Sequence, residues 1–175
     1  LRKMELGLRI CILLFLLNFC VTPLMQSLAA APQSNGQNIP ITDGLVEEGI
    51  YLVIDKSDNR LTVIHNGRVA YSFPVATGRT KQLTPTGRFH IVTKIVKPWY
   101  VRKQIPGGDR RNPLGSRWMG INVPGTGGYT YGIHGTNRPY SIGSSASSGC
   151  IRMHNRDIEW LFRHIPLGTV VIIRE

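Results

Sequence analysis

Arg60-Leu-Thr-Val-Ile-His65 and Arg68-Val-Ala-Tyr-Ser-Phe-Pro-Val75 flank the dipeptide Asn66-Gly67. Both runs are rich in β-branched and aromatic residues, and Asn-Gly tolerates successive positive φ angles. The pattern predicts a β-hairpin with a two-residue turn. Before it, Ile50-Tyr-Leu-Val-Ile54 reads as a short strand. After it come Gly87 to Lys97, with Phe89, Ile91 and Ile95 among its apolar positions, then Trp118 to Val123, Tyr129 to His134 and Thr169 to Arg174. Short strands punctuated by turns at this spacing argue for a sandwich or barrel.

One helix interrupts the strands. Asn155 is the expected N-cap and Asp157 favours the positive helix start. Ile158, Leu161, Phe162 and Ile165 fall on one face, and Pro166 and Gly168 stop the helix. The helix follows closely on Cys150, which places that residue on the turn leading into it. Lys97 to Arg117 reads as irregular, with three prolines, three glycines and the basic cluster Arg102, Lys103, Arg110 and Arg111. Such a segment is either a functional lid or a surface excursion.

The 175 residues and 42% apolar content suit one domain with a real core plus a short leader. Residues 1–30 read as a secretory signal peptide or an N-terminal anchor. Arg2, Lys3 and Arg9 precede the apolar run Ile10 to Leu17, and Ser27 and Ala29 supply small residues for cleavage. Asn18 and Pro23 interrupt the apolar stretch, which is short against the roughly 20 residues a spanning helix needs. Residues 31–46 read as a polar linker, and 47–175 as the folded domain. The expected location is the cell envelope, as cell wall or periplasm, with membrane contact only through an uncleaved leader. The net charge of +11 favours polyanions. Anionic cell-wall polymers and membrane surfaces are candidates, whereas no nucleic-acid motif is present.

Cys11 and Cys20 fall in the leader, so the exported part keeps Cys150 alone. An unpaired thiol outside the cytosol is either reactive or a buried, inert residue. Ser148-Gly149-Cys150 is a small-residue turn in which backbone N–H groups can face a substrate oxygen. Arg152 can stabilise negative charge or bind a carboxylate. His134 ends an expected strand, and Gly135 lets the chain turn away. A thiol needs a base or a positive surrounding to become a nucleophile, and His134 is the candidate. A zinc site from Cys150, His154, His134 and His164 is the rival, without ligand spacing to support it. From residues alone the reading stops at thiol acyl chemistry.

The segment Ile133-His-Gly-Thr-Asn137, followed by Ser147-Ser-Gly-Cys-Ile-Arg-Met153, resembles the signature of the YkuD family of L,D-transpeptidases. Thr84-Pro-Thr-Gly-Arg-Phe89 resembles the family's Thr-Pro-x-Gly-x-Phe segment, and Asn112-Pro-Leu-Gly-Ser-Arg-Trp-Met119 looks like the stretch before the histidine strand. Many members carry a second histidine where this chain has Ser148. The resemblance implies a mostly β fold, a β-sandwich of mixed sheets with one helix after the cysteine. It implies attack by Cys150 on the third residue of a tetrapeptide stem of peptidoglycan, release of the terminal D-alanine, and transfer of the acyl group to an amine of another stem. It makes His134 the general base and later proton donor. Backbone N–H groups of Ser148, Gly149 and Cys150 become oxyanion donors, Arg152 a substrate-carboxylate or loop-ordering group, and Gly135 a further oxyanion or substrate-binding position. No cofactor and no metal are expected. An L,D-carboxypeptidase on the same scaffold and a non-catalytic peptidoglycan-binding module are the alternatives.

Overall fold

A computed structural model gives the structure, described for residues 49–175. The expected leader (1–30) and linker (31–46) lie outside the described residues.

In chain order the elements are β1 (Ile50–Asp55), β2 (Arg60–His65), β3 (Arg68–Pro74), β4 (Thr77–Gly78), β5 (Gly87–Val96), a 3-10 turn at Val101–Lys103, β6 (Arg117–Ile121), β7 (Gly132–His134), a second 3-10 turn at Pro139–Ser141, β8 (Ser145–Ser147), β9 (Ile151–Arg152), α1 (Asn155–His164) and β10 (Val170–Arg174). The hairpin forms as its turn residues require: Asn66 and Gly67 have φ of 50° and 73°, and His65 pairs with Arg68 across the turn.

Eight strands form one ladder in the order β3-β2-β1-β10-β5-β6-β7-β9, and β4 and β8 make a separate parallel pair. β1–β10 and β7–β9 are parallel, and the remaining neighbours are antiparallel. The mostly β, mixed architecture is therefore as expected. β5 belongs to two halves of the ladder: Gly87 to His90 pair with β10, and Ile91 to Val96 pair with β6. A strand that changes partner along its length turns a corner between packed sheets. The two edges of the ladder also meet, because Ala76, just past β3, exchanges both backbone hydrogen bonds with Arg152 of β9 at 2.9 Å. β10, last in the chain, lies between β1 and β5 near the centre.

Alternation drives the core. Leu52 and Ile54 of β1, Leu61 and Val63 of β2, and Val171 and Ile173 of β10 point inward to meet Ile91, Met119, Ile133 and Ile151. Each such side chain contributes roughly 1.5–3 kcal/mol on burial. α1 lies against β6 and β7. It buries Ile158 and Leu161 fully, while Trp160 packs on Tyr71 and Phe73 of β3. Lys94 on β5 donates to the carbonyls of Phe162 and Ile165 at 2.6 and 2.8 Å, placing a cation where the helix dipole is negative.

The helix start departs from expectation. His154 is the N-terminal boundary without a side-chain cap, and Asn155 is the first helical residue. Its amide is committed instead to Ser116 and Thr136. The expected strand from Tyr129 shrinks to Gly132–His134, because Gly127 and Gly128, at φ of 58° and 80°, curl the preceding chain back over Gly120.

Candidate active site

β7 ends on one group expected to react, His134, and β9 begins one residue after the other, Cys150. The two strands run parallel with Ile133 opposite Ile151 and His134 opposite Arg152. The isoleucines are fully buried in the core, so alternation puts Gly132, His134 and Arg152 on the opposite face. Cys150, one residue before β9, falls on that face beside Gly132. Trp118 of β6 is opposite His134, and its indole stacks on the imidazole with ring centroids 5.6 Å apart. One row across the sheet therefore reads Trp118, His134, Arg152. The next holds Gly120 and Gly132, whose missing side chains leave room for the indole: a Cβ at Gly132 would come within 2.8 Å of the Trp118 ring. The indole N–H is held by the Gly128 carbonyl at 3.0 Å.

His134 is buried, and its Nδ1 lies 2.6 Å from the Gly135 carbonyl oxygen. A carbonyl only accepts, so in the neutral ring Nδ1 carries the hydrogen and Nε2 keeps its lone pair. Burial pushes the imidazole down to about 4. The Gly135 and Leu114 carbonyls oppose this by favouring the charged ring, and the Arg152 charge reinforces it. Burial raises the Cys150 thiol, against a backbone hydrogen bond from Gly132 and the attraction of Arg152. Burial therefore favours the neutral imidazole and the protonated thiol in the unliganded protein, the thiol being half-buried. The thiol donates to the Thr130 carbonyl at 3.3 Å. Histidine and cysteine share a face and a neighbourhood, but no hydrogen bond joins them in this state.

The other expected site residues divide. Ser148 is exposed beside the thiol. Arg152 is half-buried, and its charge is felt by both His134 and Cys150. Burial, with repulsion from Arg138 and Arg79, lowers its own pKa. Gly149 is not a free donor: its N–H is taken by Ser147 Oγ at 3.0 Å. Its part is conformational, since it sits at φ 130° and a Cβ there would lie 2.6 Å from the Leu83 carbonyl oxygen. Gly135 is buried rather than lining an opening, and its carbonyl serves the imidazole. His164 stacks on Trp160 at the far end of α1, and no group of three or more His, Cys, Asp or Glu converges among the described residues.

Sequence reasoning gave four supporting side chains no role at the site. Thr84 bonds the Gly149 carbonyl. Asn112, buried, donates to the Pro98 and Pro106 carbonyls at 2.9 and 3.0 Å and accepts the Leu114 N–H, which folds the 97–116 excursion around itself. Asn155 and Trp118 brace the histidine. Three of the four fall in the stretches Thr84 to Phe89 and Asn112 to Met119, so the signal was present without its chemistry. Asn137 Nδ2 adds a bond from the histidine loop to the Arg111 carbonyl at 2.9 Å.

A family profile described as the L,D-transpeptidase catalytic domain, YkuD, matches residues 49–173. YqjB of Bacillus subtilis, designated an L,D-transpeptidase, is 48% identical over 125 residues, covering 71% of this chain and 71% of that protein. YkuD of Bacillus licheniformis, with the same designation, is 34% identical over 154 residues, covering 83% of each chain. Among solved structures, L,D-transpeptidase 3 of Mycobacterium tuberculosis is similar at a TM-score of 0.57 and 20% identity, over 73% of this chain and 61% of that one. The L,D-transpeptidase of Enterococcus faecium is similar at a TM-score of 0.58 and 22% identity, over 73% and 50%. At those identities the likeness is one of fold, and the match spans less than two thirds of either solved chain.

Proposed function

Because the chain belongs to the YkuD family of L,D-transpeptidase catalytic domains, we propose that it is an exported acyltransferase that remodels peptidoglycan stem peptides through a thioester on Cys150. The observation that carries this reading is the parallel β7–β9 register, which sets the thiol and the Nδ1–H imidazole on one sheet face beside Arg152.

In the proposed cycle the Cys150 thiol leaves the Thr130 carbonyl and gives its proton to His134 Nε2 as the sulfur adds to the carbonyl of the third stem residue. The Cys150 and Ser148 N–H groups stabilise the oxyanion. The C–N bond to D-alanine breaks, and the imidazolium returns the proton to the leaving amine. An amine of a second stem then attacks the thioester, the S–C bond breaks and the thiol is restored. No external energy source is required, since the thioester keeps the free energy of the bond that was broken. Arg152 binds a substrate carboxylate, and the 97–116 excursion shields the thioester from water. The basic surface favours the anionic polymers of the wall.

The test is mass spectrometry of disaccharide-tetrapeptides incubated with the protein. Cross-linked dimers with loss of D-alanine are expected, and none with Cys150→Ala. Tripeptides alone, or unchanged muropeptides, would overturn the transpeptidase reading.

A further inference from the structure

Thr84 is 1% exposed and sits directly against the turn that carries the thiol. Its hydroxyl donates to the Gly149 carbonyl at 2.8 Å and accepts the Gly78 N–H at 2.9 Å. Its own carbonyl is held by the Lys56 ammonium at 3.1 Å, which also bonds the Lys81 carbonyl at 2.6 Å and Glu175 at 2.7 Å. Thr84 is thus fixed from Lys56, just past β1, and Glu175, just past β10, independently of the site. On the other side, the Gly149 N–H is fixed by Ser147 Oγ at 3.0 Å.

The Gly149 carbonyl and the Cys150 N–H belong to one peptide unit. That unit is planar and trans, so the two bonds point in opposite directions. Holding the carbonyl aims the N–H. Among the described residues no acceptor takes this N–H, and it lies on the residue that bears the sulfur. A hydrogen bond to the carbonyl also polarises the peptide and strengthens its N–H as a donor.

We propose that Thr84 is a positioning residue for acyl transfer: through the Gly149 carbonyl, its hydroxyl aims the Cys150 N–H at the oxyanion that forms when the sulfur adds to a carbonyl. The inference rests on the reading of Cys150 as the acyl-enzyme nucleophile. Thr84 does not touch the substrate. It acts on one donor only, and so on one kind of reaction. Acylation by a carbapenem passes through a tetrahedral oxyanion, whereas alkylation by iodoacetamide displaces iodide at a saturated carbon and forms none.

The experiment compares both rates at Cys150 by intact-mass spectrometry. Thr84→Val keeps the shape and removes the hydroxyl. Acylation is expected to fall roughly 10- to 100-fold, somewhat less than loss of an oxyanion donor outright, while alkylation stays within about twofold. Thr84→Ser restores acylation. If the valine variant does not fold, Thr84→Ala carries the same expectation. An equal fall in both rates, or unchanged acylation in a folded variant, overturns the inference. Failure of the underlying reading looks different, because the unmodified protein itself would then form no adduct at Cys150 with the carbapenem.

Discussion

Replacing Asn155 by alanine removes a surface residue whose amide end is turned inward. Its Oδ1 accepts from the Ser116 and Thr136 N–H groups at 3.2 and 3.1 Å, and its Nδ2 donates to the Thr136 carbonyl at 3.1 Å. Two glycines make room for it: a Cβ at Gly115 or Gly135 would lie 2.2 or 2.1 Å from Oδ1. The Thr136 N–H shares a planar peptide with the Gly135 carbonyl, the group that fixes the His134 tautomer. Loss of three bonds at about 0.5–1.5 kcal/mol each, discounted because water reaches this site, predicts a destabilisation of about 1–2 kcal/mol. The sharper consequence concerns the ring. In the unmodified protein 15N NMR at pH 7 should show His134 protonated at Nδ1. In Asn155→Ala the tautomers should mix, and acylation of Cys150 should slow roughly tenfold, the low end for losing a partner that orients a functional histidine. Asn155→Asp keeps an acceptor for both N–H groups and should keep the tautomer. A ring protonated at Nε2 in the unmodified protein, or an unchanged tautomer and rate in Asn155→Ala, would refute the reasoning.

Three further outcomes follow from the site and its packing. His134 titrates at about 4 in the folded protein and near 6.5 when unfolded, so between those values the unfolded chain binds more protons. Stability should therefore fall as pH drops from 6.5 towards 4, by up to about 3 kcal/mol, a slope that urea melts should show and His134→Gln should lose. Because the thiol is raised and the imidazole lowered, alkylation of Cys150 without substrate should climb only in the alkaline range; a rate plateau between pH 5 and 8 would instead reveal a thiolate–imidazolium pair. Gly115→Ala meets a φ of 64° and contacts of 2.2 and 2.4 Å with Asn155 Oδ1 and the Thr136 nitrogen. It should cost at least about 2 kcal/mol, and a melt within about 0.5 kcal/mol of the unmodified protein, the range of an ordinary surface change, would contradict the packing described.

Strands and hairpin were legible because their signals are local: period-two apolarity, and a dipeptide that tolerates positive φ. Cys150 and His134 were legible as types, through an unpaired thiol on a glycine turn and a histidine before a glycine. What brings them together is a parallel pairing across the chain, and no local pattern encodes it. The Asn155 expectation failed for a related reason. As an isolated helix start, Asn followed by an acidic first turn reads as a cap, but tertiary partners at Ser116 and Thr136 outcompete the helix's own N–H groups. Gly149 had the same fate, since its expected free N–H faces a serine hydroxyl two residues earlier. Thr84 and Asn112 belong to quoted motifs, yet their purpose depends on which carbonyls the fold delivers to them.

The place of β10 bears on how the protein comes into being. β10 pairs with β1 on one side and β5 on the other, so it joins β1 to β3 with the His134 side of the sheet in one ladder, in addition to the short Ala76–Arg152 and β4–β8 links. Contacts between residues far apart in sequence carry a high closure cost and slow folding. Closing the β1–β10 pair, with Tyr51 opposite Val170, is therefore expected to be a slow step of folding.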